Sequence, residues 1–144
     1  MKKLLSILIV LLLVTSSACG SSLEVIAKYN SLAACYGAPV LGTDMITSEK
    51  ENEINFLTGD MIYSFGKNKA ILIAPDSADF LPACVTTALT VAKSSDGAVS
   101  FMGELLYSYM VVKSGNKAPA GFFNSMCFYV SATDQGLYFF IGEP

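Results

Sequence analysis

Leu4 to Val14 is an apolar run of eleven residues broken only by Ser6, and it decides how much of this chain has to fold. Met1-Lys2-Lys3 places positive charge before it, and Thr15-Ser16-Ser17-Ala18 places small residues after it. Positive, greasy and small, in that order, is the layout of a secretory signal, and so short a run does not span a bilayer as a permanent helix. Residues 1–18 are therefore expected to act as a signal peptide, leaving residues 19–144 as a single folded domain. Export places that domain in an oxidising compartment.

Ala18-Cys19 is preceded by Ser17 and followed by Gly20-Ser21-Ser22. This segment resembles the signal of bacterial lipoproteins, in which a lipid is attached to a Cys that becomes the new N-terminus. The resemblance implies lipidation of Cys19, anchorage to a membrane of the bacterial cell envelope, and a domain held close to the bilayer by its short tether. Ser16 and Ala18 also meet the small-x-small preference of ordinary signal peptidase, and a cut there leaves a soluble periplasmic or secreted protein.

Cysteine parity follows from that choice. With Cys19 lipidated, Cys35, Cys84 and Cys127 remain, and one disulfide with one buried thiol is expected. With Cys19 free, two bridges and three connectivities are open. Cys35 with Cys84, both on predicted helices, is the favoured pair. No CxxC occurs, which argues against a redox motif or a zinc knuckle.

The chain has no His, which removes Ser-His-Asp and Cys-His hydrolysis and His-ligated zinc catalysis. It has no Arg either, and removing Lys2 and Lys3 with the signal takes the net charge from −3 to −5. An acidic chain without guanidinium forks is a poor partner for nucleic acid, and none is expected. All nine Phe and seven Tyr fall after the signal, enough apolar material for a core that does not depend on disulfides.

Ser21 and Glu24 stand at capping-box spacing, and Val25, Ile26, Tyr29, Leu32, Ala33 and Tyr36 recur at helical intervals before Gly37 and Pro39. This predicts a helix over 22–36. Residues 38–53 are less regular and end in the charged run Ser48–Glu53, expected as a solvated loop or short helix face. Residues 54–57, 61–65 and 70–74 read as strands separated by Gly-containing turns. Asp79-Phe80-Leu81-Pro82 suits a helix entrance, with Leu81, Cys84, Val85, Ala88 and Ala92 on one face.

The β-branched and aromatic content of 98–102, 104–113, 121–132 and 137–142 predicts strands there, with a bulge at Gly103. The fold class expected is α+β, an antiparallel sheet of about six strands with two helices packed on one face. Alternation along 122–132 places Phe122, Asn124, Met126, Phe128 and Val130 toward the helices and Phe123, Ser125, Cys127, Tyr129 and Ser131 away from them. Tyr107, Tyr109, Tyr129 and Tyr138 are expected to share that second side, a Tyr-lined recognition surface.

Two S-x-x-K matches, Ser64–Lys67 and Ser114–Lys117, resemble the pair in which serine β-lactamases and penicillin-binding proteins activate Ser with Lys, and Lys113-Ser114-Gly115 resembles their K-[ST]-G triplet. With 16 Ser and 9 Lys, about one match arises by chance. Both sit in predicted turns, and the chain is too short for that fold. Glu104 is the one acidic residue inside an otherwise apolar predicted strand. No glycine-rich nucleotide motif occurs, and no cofactor or metal is expected. The expected function is a non-catalytic binding or assembly module of the envelope, contacting the membrane through Cys19 and a protein or small ligand through the Tyr-lined face. The alternative is a small secreted hydrolase using Ser-Lys or carboxylate chemistry.

Overall fold

The computed structural model describes residues 21–144, so the expected signal peptide and the expected lipidation site at Cys19 lie outside the described residues. Helix α1 (Ser22–Tyr36) begins and ends where its caps dictate. Ser21 Oγ accepts the Glu24 N–H at 3.3 Å, and Gly37, left-handed at φ 75°, donates its N–H to Ala33 O at 2.8 Å. A 3-10 turn (Thr43–Met45) leads into a meander of β1 (Ile46–Lys50), β2 (Glu53–Thr58), β3 (Met61–Gly66) and β4 (Lys69–Ala74). Helices α2 (Phe80–Val91) and α3 (Ala98–Lys113) follow, then β5 (Gly121–Phe123), β6 (Met126–Thr133) and β7 (Gly136–Gly142). The strands form one sheet in the order β1-β2-β3-β4-β7-β6-β5, antiparallel throughout.

The α+β architecture with an antiparallel sheet is as expected, but the described residues hold seven strands and three helices rather than about six and two. The helices lie on one face. There Phe56, Tyr63, Phe65, Leu72, Phe139, Ile141, Phe128 and Val130 meet Tyr29 of α1, Phe80 to Leu89 of α2, and Phe101 and Leu105 of α3. Phe101 stacks on Phe123 at 4.6 Å between centroids and meets Phe128 edge-on at 4.9 Å. Each such buried side chain contributes about 1.5–3 kcal/mol by leaving water.

Residues 98–113 correct the sequence reading most: they form a helix, not two strands. Phe101, Leu105, Ser108 and Val112 are buried at three- and four-residue spacing, while Val99, Leu106, Tyr107 and Met110 face water. That one-sided stripe packs α3 on β5 and β6, and burial overrides the weak strand preference of its Val and Tyr residues. Gly103 is an exposed helical residue and not a bulge, and Glu104 is exposed beside it. The charged run at 48–53 likewise contains a strand, since β1 pairs with β2 through Ser48, Glu49 and Lys50.

The segment 121–132 is a hairpin rather than one strand. Asn124 (φ 54°) and Ser125 (φ 66°) form its two-residue turn, both left-handed as a type I′ turn requires. The turn shifts the alternation by one, so Phe123 is buried and Phe122 faces water, the reverse of the order expected. Met126, Phe128 and Val130 are buried as expected, with Cys127, Tyr129 and Ser131 on the other side.

The expected Cys35–Cys84 disulfide is not formed: among the described residues Cys35, Cys84 and Cys127 are free thiols. Cys35 faces solvent near the end of α1, whereas Cys84 points from α2 into the core, so the two side chains diverge.

Candidate functional site

Among the described residues nothing covers the opposite face of the sheet, and strand register reads out what it displays. One row across five strands runs Leu57, Ile62, Ile73, Tyr138, Ser131. The next runs Asn55, Ser64, Ile71, Phe140, Tyr129. At about 4.8 Å per strand each row is about 19 Å wide. Neither row contains a charge; Glu53 and Lys69 stand in the third row, at one margin.

An aromatic cluster occupies the β6–β7 side of this face. Tyr129 stacks on Phe140 at 5.2 Å between centroids and lies 5.7 Å from Tyr138. Phe140 covers Gly142, where an added Cβ would come within 2.8 Å of its ring. Partial burial and the neighbouring Tyr129 hydroxyl push the Tyr138 hydroxyl up to about 12, so it stays uncharged at neutral pH. Phe122, 69 % exposed, extends the apolar surface from β5 beside Cys127.

Two of the four expected tyrosines, Tyr129 and Tyr138, thus meet on one surface. Tyr107 and Tyr109 do not join them, because α3 carries both on the helical side of the sheet. Tyr107 is exposed there. Tyr109 donates to Asp76 Oδ1 at 2.7 Å and packs on Phe80 at 5.9 Å, and Lys113 bridges to the same carboxylate through Oδ2. Lys113 and Tyr109 hold the Asp76 carboxyl below its ordinary range. This cluster ties the end of α3 to the loop after β4.

The sequence reading missed Ile71, Ile73 and Phe140. The signal was present: Ala70 to Ala74 and Leu137 to Ile141 are apolar at every position, the pattern of strands buried on both faces. Here the second cover is not supplied by the described residues.

Neither S-x-x-K pair is joined by the hydrogen bond through which a Lys base would act on its Ser. Ser64 sits half-buried on β3 and Lys67 in the exposed turn beyond, with no hydrogen bond between them. Ser114 Oγ donates to Val111 O at 2.7 Å and accepts from Asn116 Nδ2 at 3.0 Å, and no bond joins it to Lys117. Among the described residues no group of three or more Cys, Asp or Glu is placed to hold a metal ion, and no helix is long and apolar enough to cross a membrane. Compared with protein-family models, curated proteins and solved structures, the chain matches none.

Proposed function

We propose that this chain is an exported, lipid-anchored envelope module that works by contact, with the uncovered sheet face as its binding surface for a partner protein. The observation that carries the reading is the mismatch at the sheet centre. Strands β4 and β7 are apolar on both sides, yet among the described residues helices cover one side only. Contiguous apolar surface rimmed by polar residues is characteristic of protein interfaces, and Tyr supplies contact area with a polar tip. The leader and Cys19 support export and anchorage, which would hold the domain against the membrane.

A photoreactive residue placed at Tyr129 tests the surface in cells. Covalent capture of one partner from Tyr129 and Tyr138, with none from exposed Val99 on α3, is the expected result. Equal labelling at all three positions removes the face as a site. Intact mass of the membrane-extracted protein tests the anchor: processing before Cys19 with an added diacyl or triacyl group is expected, and an unprocessed chain in the cytosol rules it out.

A further inference from the structure

Strand β6 runs Met126–Thr133, but β5 covers only its first part, pairing Gly121, Phe122 and Phe123 with Phe128, Cys127 and Met126. Beyond Phe128, β6 is a sheet edge. The two hairpins fix which backbone groups that edge presents. Residues flanking a two-residue turn exchange both their backbone bonds, and bonded and non-bonded pairs alternate from there. Counted from Thr133–Gly136, the odd-numbered residues of β6 bond to β7; counted from Phe123–Met126, the even-numbered ones turn toward β5. Val130 and Ala132 therefore aim N–H and C=O away from β7, Ala132 exposed and Val130 only 2 % exposed. Among the described residues these four groups have no backbone partner.

A groove of about 530 Å³ runs beside them, lined by Val112 at the end of α3, by Lys117, Ala118 and Ala120 of the following loop, and by Tyr129 and Ala132. The far edge of the sheet differs. There β1 carries a register shift between Ile46 and Ser48 and the charges Glu49 and Lys50, devices that block strand addition. Tyr129–Thr133 contains no charge, no Pro and no register shift.

We infer that the Tyr129–Thr133 edge of β6 takes up an extended segment of a partner polypeptide as an additional strand, seated in the groove under the Ser114–Ala120 loop. Outward groups recur every second residue, about 6.7 Å apart, which is the repeat of another extended chain and of few small molecules. Main-chain bonds to Val130 and Ala132 supply the affinity. Inward side chains of the segment meet Val112 and Ala118, so that side is small and apolar; the outward side lies by Tyr129 and is less restricted. The inference deepens the contact-module reading and rests on it, but uses the edge and not the face.

The probe is a phage-displayed random heptapeptide library panned against the purified full-length chain. Enriched peptides are expected to protect the Val130 and Ala132 amides from hydrogen exchange, read on the unmodified chain. They are expected to bind Ala132→Pro about tenfold or more weakly, since that change removes an N–H the fold leaves unused and edge positions accept Pro. Ala132→Ser, which keeps the N–H, is expected to bind as the parent does. Peptides indifferent to Ala132→Pro but lost in Phe140→Ala overturn edge docking and leave the sheet-face reading standing. Absence of any enrichment over bare support also overturns it. A concentration-dependent mass abolished by Ala132→Pro assigns the edge to a second copy of this chain and overturns the partner assignment.

Discussion

The hydroxyls of Tyr29 and Tyr63 lie 2.8 Å apart in the core, where both residues are fully buried and their rings meet edge-on. Tyr63 also donates to Met61 Sδ at 3.9 Å, which leaves Tyr29 as the donor between the two hydroxyls. The pair is therefore unequal. Tyr63→Phe strands the Tyr29 hydroxyl without an acceptor and is expected to cost about 1–3 kcal/mol in urea unfolding. Tyr29→Phe leaves Tyr63 bonded to Met61 and should cost less, and the double variant should be less destabilised than the two single effects summed.

Alkaline pH should weaken the fold through the same pair. Burial raises both hydroxyls above the ordinary 10.0, Tyr63 to about 12 and Tyr29 further. A raised acid stays protonated in the fold while the unfolded chain ionises, so the stabilisation is intact below pH 10 and declines as pH rises toward 12. Urea midpoints measured across that window should fall, and by less in the double Phe variant.

Thr87 Oγ1 is buried and has no hydrogen-bond partner among the described residues, unlike Thr86 and Thr90, which donate to Pro82 O and Thr86 O one turn back in α2. Thr87→Val keeps the shape and removes the orphan hydroxyl. It is expected to stabilise by about 1 kcal/mol, whereas Thr90→Val loses a bond and destabilises by a similar amount. Thermal unfolding distinguishes the two signs.

Ser125 holds φ 66° in the β5–β6 turn, a conformation that crowds a Cβ. Ser125→Gly is expected to raise stability by about 1 kcal/mol, since Gly is the favoured second residue of a type I′ turn. A lowered Tm would show that the Ser side chain contributes more than its backbone strain costs.

Thiol accessibility follows burial. Cys35 should react with an aromatic disulfide reagent in the native protein, and Cys84, whose thiol burial pushes well above 9.0, only after unfolding. Mass analysis of the labelled peptides reads this out. Blocked Cys35 and Cys84 that become reactive only on reduction would indicate the bridge absent from this structure.

Local signals in the sequence were reliable wherever the chain's own caps and turns set the structure. Ser21 and Gly37 delimit α1, and the glycine-containing turns delimit β2, β3 and β4. Errors arose where tertiary packing decides. Val99, Tyr107, Tyr109, Val111 and Val112 carry strand propensity, yet the spacing of Phe101, Leu105, Ser108 and Val112 suits one helix face. Between Phe123 and Met126 the Asn124-Ser125 turn lacks Gly, so alternation alone runs straight through it and reverses Phe122 and Phe123. For the site, Tyr129 and Tyr138 were legible by alternation. Ile71 and Phe140 were not, because a doubly apolar strand predicts cover on both sides without saying whose.

Strand β7 closes the sheet by lying beside β4, so Ala74 pairs with Leu137 and Lys69 with Gly142. A ribosome releases the early meander long before its neighbour exists. Until β7 has emerged, β4 is an exposed, sticky rim open to mispairing, and a chaperone has reason to hold the meander until its partner strand is available.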